Sequence, residues 1–243
     1  MTELDKLQAA WQEMAETDPM WFIVSRDGKR DSWAAEEFFT LGAKDAAELL
    51  ETLSAIGLPR QRGRLLDFGC GIGRLTMALA PHFEEVTGLD ISPGMIQRAQ
   101  KFSEGLSAVS FNVNETSDLT GYPDQHFDVV YCNGVLQHQP SAELQIGYIE
   151  EFVRVLKPGG LLYLQLPAFR TRRSWLLARR RPYRLLRHAG VPASTLHKHL
   201  HLHEMEMTPL PESRVIDCVN HVGGRCVRVD RPGRNRVYYV TRV

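Results

Sequence analysis

An acid followed by three alternating glycines is the feature of this chain with the most chemistry in it. In Leu65-Leu66-Asp67-Phe68-Gly69-Cys70-Gly71-Ile72-Gly73-Arg74-Leu75-Thr76 an apolar run ends at Asp67, the glycines follow, and a helix-like pattern leaves. Glycine permits backbone angles barred to other residues and lets the main chain approach a ligand closely, although strand–helix turns also use it for structure alone. The dinucleotide fingerprint GxGxxG would put its third glycine at position 74, where Arg74 stands. A carboxylate repels a pyrophosphate and stabilises a cation or an ammonium group, so Asp67 turns the loop toward a positively charged ligand. A second acid, Asp90, closes the apolar run Val86–Asp90, 21 residues after Gly69. An acid at the tip of a second strand is placed to bind both hydroxyls of a ribose. The competing use is a helix cap at Pro93-Gly94; Ser92 is assigned the cap and Asp90 the ribose.

Histidine is the side chain best suited to move a proton near neutral pH, and His138 follows the fourth apolar run, Phe127–Cys132. His197, His199, His201 and His203 alternate with leucines, and in a strand they would share one face able to bind a transition metal. A polar face over an apolar one is the preferred reading, and no acid or cysteine completes a zinc pattern, so no metal is expected. Residues 169–187 hold eight arginines and no acid, interleaved with Trp175, Leu176, Leu177, Tyr183, Leu185 and Leu186. A basic amphipathic helix of this kind suits a membrane surface, a phosphate, or pairing with an acidic body.

These groups need rigid elements behind them. From Arg64 onward short apolar runs alternate with helical patterns: strands at 65–68, 86–90, 108–113, 127–132 and 161–166, and helices at 75–80, 94–102 and 142–156. Such alternation predicts an α/β fold with a parallel sheet covered on both faces and ligands bound along the strand C-termini. A helix at 213–221 and strands at 226–230 and 236–241 around Pro232-Gly233 predict a closing antiparallel hairpin, making seven strands. The N-terminus reads as a helical extension: Leu4, Leu7, Trp11 and Met14 form one stripe, and a longer helix runs from about Ser32 to Ile56. The expected units are a cover, 1–60, and a ligand-binding domain, 61–243, with a lid inserted after strand five at 168–210.

With 243 residues, 43% hydrophobic and 24% charged, the composition is that of a globular protein and excludes disordered, collagenous and coiled-coil classes. No apolar run reaches the roughly 18 residues of a membrane span, and the first residues lack a secretory pattern, so a cytoplasmic protein is expected. Four scattered cysteines read as reduced thiols. The net charge of zero conceals an asymmetry: residues 1–60 hold six basic and 12 acidic groups, residues 61–169 seven and 12, and residues 170–243 sixteen and five. A basic C-terminal third permits an anionic substrate, a nucleic acid or a membrane surface as partner.

The chain resembles the class I, Rossmann-like S-adenosylmethionine-dependent methyltransferases. Asp67–Gly73 is similar to that family's first motif, Gly88–Met95 to its second, Phe127–His138 to its fourth-strand motif, and Leu156–Gly160 to the turn before strand five. The resemblance covers residues 64–166 well and residues 168–210 hardly at all. It implies that S-adenosylmethionine is the cofactor, with Gly69, Cys70, Gly71 and Gly73 along its methionine part and the Asp67 region receiving the amino group. Asp90 would hold the ribose, and Ile91 and Met95 the adenine ring. After strand three the stretch departs from the family's acid–small pair, so Asn114, Glu115, Ser117 and Asp118 compete to read the adenine amino group. Cys132 and Asn133 would run beside the methionine carboxylate and sulfonium. His138 is the expected general base or substrate-orienting residue, with loop capping as its other use. Trp21, Trp33, Phe38 and Phe39 would close over the site or simply pack helices, and His201 would reach substrate if its segment crosses the mouth. The expected reaction is methyl transfer to a small-molecule or lipid-like acceptor, oxygen being the first choice of nucleophile. Methylation of RNA by the basic third and a non-catalytic cofactor-binding protein are the alternatives, and peripheral membrane contact would run through 169–187.

Overall fold

The computed structural model describes residues 2–59, 61–169, 180–202 and 207–243. Seven strands form one sheet: β1 (Arg64–Phe68), β2 (Glu85–Asp90), β3 (Val109–Val113), β4 (Phe127–Asn133), β5 (Leu156–Pro167), β6 (Gly224–Asp230) and β7 (Asn235–Arg242). Their order is β3-β2-β1-β4-β5-β7-β6. The first five strands are parallel, and β7 lies antiparallel between β5 and β6. The sheet order reverses direction beside β1 and β4, so their C-terminal ends open a crevice of the kind in which such sheets bind ligands.

Alternation along the strands feeds two cores. Leu66, Phe68, Val130, Cys132, Leu162, Leu164 and Tyr238 face α6 (Ala142–Val155) and α9 (Glu212–His221). Leu65, Val129, Tyr131, Leu161 and Tyr239 face α3 (Ala35–Ile56) and α4 (Arg74–Leu79). α3 therefore covers one face of the sheet through Ala46, Leu49 and Leu53, although it belongs to the first 60 residues. α5 (Pro93–Phe102) fills the crossover between β2 and β3.

Some boundaries move. The 35–56 helix starts three residues later than the pattern from Ser32 predicts. β5 starts at Leu156, five residues early, because Lys157–Gly160 enters the sheet across a register shift. The histidine tract is helical: His197 and His199 lie in α8 (Ala193–Leu200), and His201 is its left-handed cap at φ 56°. That removes the shared strand face, and His203 and residues 170–179 lie outside the described residues. Of the arginine-rich segment, α7 (Arg180–His188) is described.

Candidate functional site

At the C-terminal ends of β1, β2 and β4 lies a cavity of about 350 Å³, in the range of small-molecule sites. Its floor is the glycine turn. Gly69 and Gly71 have φ of +78° and +56°, which L side chains rarely adopt. The N–H groups of Gly69 and Cys70 donate to the Leu89 carbonyl at 2.7 and 2.9 Å, pinning the turn to β2. A Cβ on Gly69 would overlap Val135, and one on Gly71 would sit 2.6 Å from Ile23 Cδ1. Ile23 belongs to α2 (Pro19–Ile23), so close approach here is made by protein as well as available to a ligand. Gly73 does not line the cavity: it caps α4, and its side-chain position faces the Phe111 ring.

Two acids, buried Asp67 and half-buried Asp90, set the electrostatics. Asp67 accepts from the Thr76 hydroxyl at 2.6 Å, and burial pushes its carboxyl up to about 6. Asp90 accepts from Gly71 N–H and Ser92 N–H, each at 2.9 Å, and burial raises its pKa despite these bonds. Each carboxylate oxygen retains a lone pair, so Asp90 can accept further bonds from the cavity. Ser92 takes the expected cap, accepting from Met95 N–H at 3.2 Å.

The remaining predicted residues separate into two groups. Cys70, Ile91, Met95, Asn114, Asn133 and His138 line the cavity with the acids. Of the competitors after strand three, Asn114 is on the wall; its N–H donates to the Asp90 carbonyl at 2.9 Å. Glu115 instead accepts from Gln8 at 3.0 Å, Ser117 is exposed, and half-buried Asp118 accepts from Thr120. Cys132 is fully buried behind β4 because alternation sends it to the apolar side, and that burial raises its thiol pKa. Trp33 donates its indole N–H to the Val24 carbonyl at 3.2 Å, and Phe39 packs edge-on to Phe38 and Phe102. Neither lines the cavity, and neither do Trp21 and exposed His201. Trp21 lies beneath the Arg30 guanidinium, 3.8 Å from its ring centre, and edge-on to His197 at 5.0 Å. Asp18, Asp31 and His197 place their ligand atoms within 4.8 Å of one another, but Arg30 already meets His197 Nδ1 at 2.7 Å. That guanidinium supplies the positive charge of the cluster, which joins the N-terminal segment to α8.

Sequence patterns missed part of the roof. α1 (Glu3–Thr17) brings Leu7 and Trp11 to the cavity, Ile23 and Ser25 follow from α2 and its exit, and Met207 enters from beyond α8. The stripe Leu4-Leu7-Trp11-Met14 carried the signal, since half of it, Leu7 and Trp11, lines the cavity. Trp11 packs edge-on to His138 at 5.4 Å.

A methyltransferase-domain family model matches residues 66–164. A probable methyltransferase of Aspergillus luteorubrus is 32% identical over 123 residues, 46% of this chain and 43% of that protein. The ubiquinone biosynthesis O-methyltransferase of Xanthomonas campestris pv. campestris is 35% identical over 102 residues, 42% of this chain and 41% of that protein. The match spans less than half the length of these relatives. In fold, the chain is similar to magnesium protoporphyrin IX methyltransferase from Synechocystis PCC 6803 with bound S-adenosylhomocysteine, at a TM-score of 0.64, 19% identity and full coverage of both chains. The match over residues 66–164 and the shared fold support a class I methyltransferase domain at the core of this chain.

S-adenosylmethionine, the cofactor that the resemblance implies, fits the lining. Two acids beside a glycine turn suit an ammonium group and a ribose diol and oppose a diphosphate. Leu89, Ile91 and Met95 offer an apolar slot next to the amide of Asn114, as a nucleobase requires. Among the described residues, no helix of the domain or its extensions is long and apolar enough to cross a membrane.

Proposed function

We propose that the chain methylates a small-molecule acceptor at oxygen, and that His138 takes the acceptor's proton. The observation that carries this reading is the place of His138: it stands in the short turn Leu136–His138 just after β4, on the wall of the cofactor cavity and against Trp11. When bound, S-adenosylmethionine supplies a methyl group on a sulfonium, already activated for displacement. The protein's part is then alignment, exclusion of water and removal of a proton. Asp67 and Asp90 hold the ammonium and ribose, Ile23, Trp11 and Met207 shield the methyl from water, and His138 receives the proton of an attacking hydroxyl. The size of the cavity and its apolar roof support a small acceptor, as does the ubiquinone-pathway relative, whose name gives an O-methyltransferase.

The test is a panel of phenolic and carboxylic acceptors with methyl-labelled cofactor and purified protein. On an acceptor that turns over, His138→Ala should lower kcat by about 10²- to 10⁴-fold. S-adenosylhomocysteine affinity should be unchanged, and the acid limb of the pH–rate profile should disappear. Unaltered turnover would remove His138 from the mechanism. Transfer to nitrogen or carbon alone would overturn the oxygen assignment.

A further inference from the structure

Arg74 is the first residue of α4 and lines the cavity beside Asp67, Tyr131 and Ser25. It is the permanently charged cation among the described lining residues. Its guanidinium is satisfied on one side: Nη1 donates to Asp45 Oδ2 of α3 at 2.6 Å, whereas Nε is buried with no hydrogen-bond partner. The side chain is also fixed. α3 crosses α4 so closely that a Cβ on Gly42 would lie 2.6 Å from Arg74 Cγ, and the Phe38 ring stands 5.7 Å from the guanidinium carbon. A guanidinium carries five N–H donors in a planar fork that matches a carboxylate in two parallel bonds. One carboxylate partner leaves donors over, and burying them without a second partner is unfavourable. Cys132, expected to run beside a carboxylate, is turned into the core and supplies nothing to it.

We propose that Arg74 binds the α-carboxylate at the methionine end of the cofactor, with Gly42 and Asp45 of α3 holding the guanidinium in place. This rests on the S-adenosylmethionine reading of the cavity. Asp67 and Arg74, seven positions apart across the glycine turn, then read the two charges of one zwitterion. Position 74, where a dinucleotide fingerprint would have its third glycine, carries an arginine because the ligand presents a carboxylate where a dinucleotide would present phosphates to a bare main chain. α3 thereby becomes part of the cofactor site without touching the cofactor.

The test is calorimetric titration of S-adenosylhomocysteine and of its decarboxylated analogue, which keeps the amine. Arg74→Met should weaken S-adenosylhomocysteine by about 10- to 100-fold, the scale of a charge-assisted bond to a carboxylate. Binding of the decarboxylated analogue should stay within about threefold, which also shows that the variant folds. Arg74→Lys should recover part of the loss, since a point charge replaces the fork. Asp45→Asn, which removes the guanidinium's anchor on α3, should weaken S-adenosylhomocysteine by a smaller factor, about two- to fivefold, and leave the decarboxylated analogue unchanged. Equal weakening of both compounds by Arg74→Met, or no weakening of either, overturns the proposal. A wild-type protein that binds neither compound brings down the cofactor reading instead, so the two failures are distinct.

Discussion

The floor of the cavity and its roof are held by different forces. The floor, where β1, β2 and β4 end, is fixed by main-chain donors: Gly69 and Cys70 N–H onto the Leu89 carbonyl, and Gly71 and Ser92 N–H onto the Asp90 carboxylate, above a core from which water is excluded. The roof is joined by side chains that carry charge. Glu13 of α1 receives Arg187 at 2.6 Å and the Tyr183 hydroxyl, Lys198 approaches Asp31 at 3.4 Å, and Arg30 and Asp18 flank His197. The acidic excess of residues 1–60 thus meets the basic excess of the C-terminal third, which gives Arg187 of α7 and Lys198 of α8 partners within the chain. Main-chain geometry positions a constant cofactor; a roof of exchangeable ion pairs can vary with the acceptor and can open for it, since such pairs contribute little each when exposed.

If that division is right, the floor should tolerate least. Gly69→Ala combines a left-handed φ of +78° with overlap on Val135. A loss of about 2–4 kcal/mol in denaturant unfolding is expected. A neutral result would show that the turn can relax and is not the rigid element. Next comes Asp90→Ala, which removes the proposed ribose acceptor and leaves Gly71 N–H and Ser92 N–H without their partner. S-adenosylhomocysteine affinity should fall about 100-fold; unchanged binding would place the ribose elsewhere.

Asp67 separates floor chemistry from floor packing by pH. Burial is the main cause that lifts its carboxyl to about 6 from the usual 3.8. A raised carboxyl takes its proton more readily folded than unfolded. The Asp67 share of free-protein stability is therefore greatest below about pH 4 and is lost as pH rises through 6. Cofactor binding should run the other way, because an ammonium group needs the carboxylate. Affinity should decline below pH 6 by up to about tenfold per pH unit. Asp90 is raised too and acts in the same direction, so the comparison is with Asp67→Asn, which should flatten both slopes by the Asp67 share. An Asn variant that keeps the wild-type slopes would assign them to another group.

The floor was legible in the sequence and the roof largely was not, for one physical reason. Asp67, the glycines, Asp90 and Ser92 act through local backbone geometry, so type and spacing along the chain predict where they lie. Even there, alternation decided what spacing alone did not: it turned Cys132 inward while Asn133 reached the cavity, and Gly73 served the Phe111 contact. Roof residues depend on how helices far apart in sequence meet. Trp21, Trp33 and Phe39 are aromatic and near the N-terminus, as a lid would require, yet each is consumed by a neighbour. Trp11 and Leu7, which do reach the cavity, looked like an ordinary helix stripe. His197 and His199 alternate with leucines as a strand would, but four-residue spacing from Leu196 to Leu200 serves α8 equally, and tertiary packing selects the helix.

The smallest expected effect tests the roof directly. His197 is 2% exposed, with Nε2 3.3 Å from Asp18 Oδ2, Nδ1 2.7 Å from Arg30, and rings of Trp21 and Phe22 around it. Arg30 can only donate, so Nδ1 accepts and the ring proton sits on Nε2 toward Asp18. His197→Phe keeps an aromatic ring in the aromatic nest and deletes both polar bonds, which should loosen the joint by about 1–3 kcal/mol. Among the described residues α8 packs on α1 and α7, so the loss should be local. Hydrogen exchange should accelerate in α1, α2 and α8 while β1, β2 and β4 keep their protection, and S-adenosylhomocysteine affinity should move by less than about threefold. Equal acceleration in the strands would make roof and floor one cooperative unit, and the acceptor side would then be as rigid as the cofactor side.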